Sequence, residues 1–241
     1  MVLTSQGQFY KSINFFQEAL NLEPSFTPAQ SQLCKANYEA RNLSKGYQFT
    51  QDWFSRNINI WEHNLSKFAN LPELSVIEIG SWEGRSTCWL LEHILTHDSA
   101  SITCIDTFEG SIEHKHWFDE RYIKSIEERF DFNIAKTGSS EKVKKIVGKS
   151  QDMMRSLPLN SYDILYIDGS HLASDVLRDA ILGWDLVKVG GLIIFDDYDF
   201  IFHQNISQNT KVGIDAFLDA FCNKISLVHK SYQVIIEKIV C

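Results

Sequence analysis

Apolar positions in the last two thirds of the chain recur at two alternating periods, one typical of strands and one typical of helices. Each of five short apolar runs is followed by a helical or loop segment. This alternation predicts one sheet of parallel strands joined by right-handed crossovers, with helices on both faces. The final stretches ISLVHK and YQVIIEKI predict a closing hairpin, because no helical segment separates them. The five runs predict strands over 75–80, 101–108, 143–148, 162–169 and 191–198.

The segment between the fourth and fifth predicted strands has the apolar spacing of an amphipathic helix. Its sequence, LASDVLRDAILGWDLVKVGG, predicts a crossover helix that ends at Gly190 and Gly191. The Leu, Val, Ile and Trp residues of this helix are expected to pack on the sheet.

The first forty residues have a different pattern. One helical stripe predicts an amphipathic helix that stops at Pro24, and a second helix follows from Pro28 to Arg41. An aromatic-rich helical segment over 42–73 then leads into the sheet, so we expect three parts, 1–41, 42–73 and 74–241. The stripe consists of Phe9, Ile13, Phe16, Ala19 and Leu20, and the aromatic-rich segment carries Trp53, Phe54, Ile58, Trp61 and Leu65 at helical spacing.

The N-terminal pattern resembles a tetratricopeptide repeat (TPR). Its turn glycine, packing residues and terminal proline match Gly7, Phe9, Ile13, Phe16, Ala19, Leu20, Leu22 and Pro24. The resemblance covers the second helix of one repeat and the first helix of the next. It implies the end of a longer array or a small cap, and a potential protein partner on these helices. The alternative is a simple amphipathic hairpin packed on the main domain.

Composition excludes several classes of protein. The 241 residues are 44% hydrophobic and 22% charged, which is ordinary for a globular chain with one good core and an appendage. The net charge of -8 argues against a nucleic-acid partner, because phosphate binding requires concentrated Lys and Arg. No apolar run approaches the length of a membrane span, and the N-terminus lacks the pattern of a signal peptide. The five cysteines are odd in number and show no CxxC spacing, so we expect reduced thiols in a cytoplasmic protein: Cys34, Cys88, Cys104, Cys222 and Cys241.

A glycine-containing turn follows the first predicted strand. In EIGSWEGRST, Gly80 and Gly84 allow a tight turn and let a ligand approach backbone amides at a helix N-terminus. Asp106 ends the next strand, where an acid can accept hydrogen bonds from the ribose hydroxyls of an adenosine-containing cofactor. A nucleotide-binding Rossmann domain and a purely structural turn both remain open on this observation.

The EIGxxxG spacing together with the closing hairpin resembles the class I methyltransferases that use S-adenosylmethionine (SAM), which makes a nicotinamide cofactor the lesser option. The resemblance implies a doubly wound α/β sheet of seven mainly parallel strands, in the order 3-2-1-4-5-7-6, with an antiparallel seventh strand. It also implies cofactor-binding roles for the residues of the turn and of GKSQD after the third strand, the latter near adenine. The residues so assigned are Glu78, Gly80, Ser81, Gly84, Asp106, Ser150 and Asp152.

Three acidic residues end the fourth and fifth predicted strands. Asp168 lies in YIDGSH, and Asp196 and Asp197 end the apolar run GLIIFDDY. If these strands are neighbours, the three carboxylates gather at one edge of the sheet, where open α/β sheets bind ligands. Like charges would raise one or more of their pKa values unless a cation lies among them. We therefore predict a divalent metal ion, with Mg²⁺ the expected ion, held by oxygen ligands.

This acidic pattern resembles the metal-dependent O-methyltransferases of the catechol and macrocin-like sugar types, over residues 74–241. The resemblance implies Mg²⁺ ligands at Asp168, Asp196 and Asp197. The Asp-Asp pair is closer to that of the sugar enzymes. His171 lies where catechol-type enzymes carry a lysine general base, so His171 is the candidate to take the proton of the acceptor hydroxyl. Neither that lysine nor the residues usual in the sugar enzymes follow Asp168.

The resulting expectation is a SAM-dependent methyltransferase that methylates the oxygen of a hydroxylated small molecule or sugar. We expect acceptor contacts in the loop 109–122, which carries His114, His116 and Trp117. Two alternatives remain: a metal-independent methyltransferase with His171 or Asp168 as base, and a SAM-binding or TPR interaction module without turnover. No membrane partner is expected.

Overall fold

A computed structural model of the chain describes residues 8–202 and 205–240. Gly7 of the TPR-like pattern and Cys241 lie outside the described residues. Contacts divide the chain into two compact units, the first ending at Lys67 and the second beginning at Phe68. The boundaries predicted from sequence after residues 41 and 73 stay predictions.

The first unit is helical. Helix α1 (Phe9–Leu22) packs against α2 (Thr27–Lys45), and α3 (Ile58–Leu65) follows. The predicted stripe lies in this interface, where Phe16, Ala29 and Ala36 are buried and Ile13, Ala19 and Leu20 pack around them. The helical hairpin was thus predicted, with α2 extending four residues further than expected, to Lys45. Its relationship to the TPR stays a prediction.

The aromatic segment that follows is helical only from Ile58 onward. Phe54 precedes a 3-10 turn and packs edge-on against Trp61, with ring centroids 4.8 Å apart. Trp53, which the helical spacing placed on the same stripe, is 38% exposed. The helical spacing is therefore only partly realised, because the chain turns before α3 begins.

The second unit is built on a seven-stranded sheet in the order β3-β2-β1-β4-β5-β7-β6, which confirms the predicted architecture. Strands β1 to β5 pair in parallel, and β7 pairs antiparallel with both β5 and β6. The strands are β1 (Ser75–Ile79), β2 (Ser101–Asp106), β3 (Val143–Val147), β4 (Tyr162–Ile167), β5 (Val187–Phe195), β6 (Ile225–Lys230) and β7 (Val234–Lys238).

Helices connect these strands and cover the sheet. They are α4 (Arg85–His93), α5 (Ile112–Trp117), α6 (Glu120–Lys124), α7 (Ile126–Thr137), α8 (Ser150–Met153), α9 (Ala173–Leu186) and α10 (Thr210–Ala220). Short 3-10 turns lie at Ser55–Asn57, Ser66–Phe68, Ser140–Lys142, Met154–Ser156 and Ile206–Gln208. The core is the apolar centre of the sheet, where Ile77, Ile164, Leu165 and Ile193 are fully buried.

The crossover helix ends earlier than its sequence predicts. Helix α9 stops at Leu186, and the residues from Val187 onward, including both predicted terminating glycines, belong to β5. Gly190 has φ of +84°, and the pairing of β5 with β4 shifts register between Tyr162 and Ile164. The glycines therefore form an irregularity inside the strand, since backbone freedom suits a bulge as well as a helix end.

Within the described part of the chain, no helix has the length and apolar character needed to span a membrane. Four cysteines, Cys34, Cys88, Cys104 and Cys222, are free thiols, as the sequence predicts.

Candidate active site

A glycine loop, residues 80–84, connects β1 to α4 at the carboxyl edge of the sheet. Gly80 has φ of +84°, and Gly84 is the N-cap of α4. The strand order reverses between β1 and β4, which is where open α/β sheets form a ligand crevice. The loop thus lies at the crevice where a bound cofactor is expected.

Glu78, in β1, stabilises this loop and the first turn of α4. Its side chain is fully buried, and its carboxylate accepts hydrogen bonds from the hydroxyls of Ser81 (2.8 Å), Ser86 (2.5 Å) and Thr87. Burial raises the pKa of Glu78, while these donors oppose the shift. Glu78 and Ser81, both predicted cofactor contacts, therefore shape the loop in this structure. Their contact with a cofactor stays a prediction.

Asp106, at the end of β2, binds the backbone of the same loop. Its Oδ2 atom accepts the backbone N–H groups of Ser81 and Trp82 at 2.8 Å each, and Oδ1 accepts that of Phe108 at 2.7 Å. Trp82 and Phe108 have φ of 50° and 54°, a left-handed conformation that costs free energy in residues other than glycine. The carboxylate therefore compensates for backbone strain at the place where the ribose of a cofactor is expected.

The segment after β3 lies against α9. Ser150 donates from Oγ to Oδ1 of Asp179 at 2.7 Å, and Gln151 donates from Nε2 to the same oxygen at 2.9 Å. Asp152 is exposed on α8. Of the two residues predicted to lie near adenine, Ser150 is thus held by a buried acid on the neighbouring helix, whereas Asp152 faces solvent.

The three predicted carboxylates meet at the ends of β4 and β5. Tyr166 bridges two of them, because its hydroxyl lies 2.8 Å from Oδ2 of Asp168 and 2.5 Å from Oδ2 of Asp196. Asp196 also accepts from Nε2 of Gln233 at 2.9 Å and from the backbone N–H of Asp197 at 2.7 Å. Asp196 is therefore the inner carboxylate, 7% exposed and surrounded by donors.

Asp197 faces a different direction from Asp196. Its φ of 56° is left-handed, which Asp tolerates better than most residues, and its carbonyl accepts the Thr210 hydroxyl at 2.5 Å. The Asp197 carboxylate accepts from the Tyr232 hydroxyl at 2.5 Å and lies 2.8 Å from Nε2 of His171. The turn therefore directs the two adjacent carboxylates to different partners, although the charge of Asp197 still raises the pKa of Asp196.

His171 lies between two acids. Its Nε2 contacts Asp197, and its Nδ1 contacts Oε1 of Glu113, which is 2% exposed. Burial lowers the pKa of His171, but the hydrogen bonds and charges of the two carboxylates outweigh burial and raise it to about 10. The same contact lowers the pKa of Glu113 to about 2, although burial opposes this. The two carboxylates thus favour the protonated imidazolium form of His171.

Burial and mutual repulsion act on the acidic group as the sequence predicts. Burial, followed by the charges of Asp196 and Asp197, raises the pKa of Asp168 well above its usual value. Burial and Asp197 raise the pKa of Asp196 to about 6, against the donors Tyr166 and Gln233. A bound cation would remove this repulsion.

The donor set fits a divalent cation. One ligand atom from each of Asp168, His171 and Asp197 lies within 4.8 Å of the others, close enough to share an ion. Two carboxylates suit hard cations such as Mg²⁺, and imidazole widens the choice to transition metals. The oxygens of Asp196 already accept hydrogen bonds from three donors. Its role as a metal ligand stays a prediction.

The loop 109–122 lies beside His171, which Glu113 and His114 of the loop contact. His114 is buried against Trp82 of the glycine loop, with ring centroids 4.3 Å apart, and burial lowers its pKa to about 4. Trp117 is 50% exposed, and its ring meets that of Phe202 edge-on at 6.0 Å. Of the residues named for acceptor contacts, Trp117 and His116 are therefore exposed beside Phe202, whereas His114 is buried.

Sequence reasoning missed several residues that contact the site. Tyr166 could have been found, because it lies two residues before Asp168 and so shares its side of β4. Glu113 carries no local signal that distinguishes it from the other acids of its loop. The same holds for Tyr232, Gln233 and Asp179, which reach the site through the packing of β7 and α9.

Comparisons with known proteins agree with the fold of the second unit. A family model described as a methyltransferase domain matches residues 77–198, about half of the chain. The uncharacterized protein R132 of Acanthamoeba polyphaga mimivirus is 29% identical over 163 residues, 64% of this chain and 66% of that protein. The match therefore spans just under two thirds of the relative's length.

Two solved structures share the fold. The O-methyltransferase NovP superposes with a TM-score of 0.58 at 22% identity, over 77% of this chain and 80% of NovP. The MycE methyltransferase of the mycinamycin biosynthetic pathway, solved with Mg and S-adenosylhomocysteine, gives 0.54 at 16% identity, over 86% of this chain and 54% of MycE. At these identities the likeness shows the fold alone.

Proposed function

Since this chain belongs to the methyltransferase-domain family that matches residues 77–198, we propose that it transfers the methyl group of SAM to a hydroxyl oxygen with the help of a divalent cation. The observation that carries the proposal is the convergence of Asp168, Asp197 and His171 beside the glycine loop. Asp168 and Asp197 would hold the cation at that edge of the sheet, beside the loop proposed to bind the methyl donor. SAM would supply an activated methyl group, and the chain would hold the acceptor in line with it.

Cofactor binding is assigned to the loops that follow β1, β2 and β3. Asp106 is the proposed ribose contact, and the glycine loop between Gly80 and Gly84 would receive the methionine part. The segment containing Ser150 would lie beside adenine. The S-adenosylhomocysteine found in MycE supports this class of cofactor.

Asp168 and Asp197 are the proposed metal-binding pair, with Asp196 behind them. A divalent cation held there would lower the pKa of an acceptor hydroxyl. Tyr166 links Asp168 to Asp196 and so fixes the orientation of both carboxylates. Support comes from the crowding of charge at this edge, and from the Mg present in MycE.

His171 is the proposed group that accepts the hydroxyl proton, at Nε2. Glu113 occupies Nδ1 and fixes the ring, so that Nε2 faces Asp197 and the metal-binding pair. The carboxylates of Asp197 and Glu113 both favour the protonated form of His171. His171 can act as a base only after Asp197 engages another partner and Nε2 loses its proton.

The acceptor is proposed to be a hydroxylated small molecule or a sugar that enters beside Trp117. A protein partner on the N-terminal helices and a cytoplasmic location stay predictions.

Methyl transfer onto a panel of hydroxylated acceptors, measured by mass spectrometry, tests the proposal. We expect a mass gain of one methyl group that requires SAM, falls with EDTA and returns with Mg²⁺. Transfer that persists after rigorous metal removal would favour the metal-independent alternative, in which His171 or Asp168 is the base. Binding of SAM without transfer to any acceptor would favour a binding module.

A further inference from the structure

Asp179 is a buried acid that the proposed methyl transfer does not use. It lies in the middle of α9, is 1% exposed, and has no cationic partner within salt-bridge distance among the described residues. A buried carboxylate with neutral donors alone costs free energy, so its presence requires an explanation. Burial raises its pKa to about 7, against the hydrogen bonds of Ser150 and Gln151.

Asp179 connects two sides of the cofactor crevice. Its Oδ1 atom receives Ser150 Oγ–H at 2.7 Å and Gln151 Nε2–H at 2.9 Å, both from the segment after β3. On the other side, a Cβ on Gly169, just after Asp168 at the end of β4, would lie 3.9 Å from Oδ2. Asp179 therefore lies between the segment assigned to adenine and the end of β4, where Asp168 of the metal-binding pair lies.

These two hydrogen bonds determine whether Ser150 and Gln151 act as donors or as acceptors toward a third group. Both donors go to Oδ1, which accepts whether Asp179 is ionised or carries a proton on Oδ2, so the Ser150 hydroxyl must point its proton at Asp179 and keep its oxygen lone pairs for another donor. The Gln151 amide must likewise turn Nε2 toward Asp179, which leaves Oε1 as an acceptor facing away. Without Asp179, the hydroxyl could rotate and the amide could flip.

We propose that Asp179 is a positioning residue that makes Ser150 and Gln151 hydrogen-bond acceptors toward the exocyclic amino group of adenine. The inference rests on the proposed SAM-dependent function and adds to it a basis on which the protein selects adenine over hypoxanthine. Adenine presents an N–H donor at position 6, whereas hypoxanthine presents a carbonyl acceptor there, and side-chain amides discriminate purines by this pattern. Two acceptors fixed by Asp179 accept from the amino group and repel the carbonyl.

The experiment compares S-adenosylhomocysteine with S-inosylhomocysteine by calorimetry on the full chain. We expect the wild-type protein to prefer the adenosyl compound by at least about tenfold, the scale of one buried hydrogen bond. Asp179→Ala should weaken the adenosyl compound and reduce the preference to less than about threefold. Asp179→Asn should keep most of the preference, because its amide oxygen can still accept from Ser150 and Gln151.

Two further variants make the result specific. Gln151→Ala removes one acceptor at a partly exposed position and should also reduce the preference, which tests the proposal even if Asp179→Ala fails to fold. Asp163→Asn, at the opposite edge of the sheet where Asp163 pairs with Lys188 at 2.8 Å, should leave the preference unchanged.

Equal weakening of both compounds by Asp179→Ala, or an intact preference in both Asp179→Ala and Gln151→Ala, would overturn the proposal and make Asp179 purely structural. A wild-type protein that binds both compounds equally would overturn it as well. Failure of the wild type to bind either compound would contradict the SAM-dependent function itself and the inference with it.

Discussion

Gly80 lies against the backbone of Asp168, so closely that a Cβ on Gly80 would be 1.9 Å from the Asp168 carbonyl oxygen. One residue begins the glycine loop after β1, and the other is the first acid of the proposed metal-binding pair after β4. Because the two backbones touch, the cofactor loop and the acidic group have a fixed separation. The proposed in-line methyl transfer requires such a fixed separation between the cofactor and the acceptor hydroxyl.

Substitution of Gly80 tests this contact. Gly80→Ala should combine a left-handed backbone penalty of about 1–2 kcal/mol with an overpacking cost of about 1–3 kcal/mol or more, and should abolish SAM binding. Gly138→Ala is the matched control, because Gly138 also has positive φ, at +76°, but nothing lies within 4 Å of its Cβ position. Urea denaturation measures both variants, and equal destabilisation would show that the contact with Asp168 is not tight.

Binding of Mg²⁺ should increase the stability of the folded protein. At an Mg²⁺ concentration 100 times Kd, the folded state gains about 2.7 kcal/mol, and the melting temperature should rise accordingly. Asp168→Asn and Asp197→Asn should each remove this response and most of the methyl transfer, while SAM affinity changes little. Asp163→Asn, remote from the site, should keep the full response.

Asp196→Asn extends this series. The sequence-based prediction that Asp196 is a ligand requires a loss of the Mg²⁺ response as complete as that of Asp197→Asn. A clearly smaller loss would assign Asp196 to the support of Tyr166 and Asp168. An Mg²⁺ response preserved in all three variants would contradict a metal site at this edge.

Glu113 should act through His171. Glu113→Gln keeps the shape of the side chain but removes the charge that holds Nδ1, so we expect kcat to fall about 10–100-fold, as for other residues that orient a functional histidine. SAM affinity and the melting temperature in the presence of Mg²⁺ should change little. Glu109→Gln, an exposed acid of the same loop, is the control and should retain wild-type turnover. A profile of kcat against pH identical in wild type and Glu113→Gln would argue against coupling to His171.

Asp179 should make the cofactor-free protein sensitive to pH. Its pKa rises from 3.8 to about 7 on folding, mainly through burial, so the folded state binds the proton more tightly. Its contribution to stability is complete below about pH 4 and is lost as the pH rises through 7. Asp175 on the same helix adds to the pKa shift, and Arg178 opposes it.

Asp179→Asn cannot ionise, so its stability relative to wild type should increase from pH 4 to about pH 8, by at most on the order of 4 kcal/mol. Urea denaturation across this range measures the difference. A difference that does not depend on pH would show that Asp179 titrates normally.

The sequence alone determined the strands, the α/β class and the acids at the strand ends, because these follow from local features. Period-two apolar runs place the strands, and parallel pairing brings every strand end with an acid to the same edge, as Asp168 and Asp196 show. The resemblance to class I methyltransferases supplied the strand order. The prediction was wrong at Gly190, where two local features conflict. A glycine after a helical pattern predicts a helix end, but this segment pairs with β4 and forms part of β5.

Tertiary structure decided the rest. The left-handed turn at Asp197 separates it from Asp196, and the loop 109–122 brings Glu113 to His171. Asp179 meets Ser150 only because α9 packs beside the end of β3. Each of these contacts joins residues whose approach depends on backbone conformation or on the packing of whole elements. Such contacts leave no periodic or motif signal in the sequence, because the two residues are far apart along the chain and neither position shows by itself which residue it will contact.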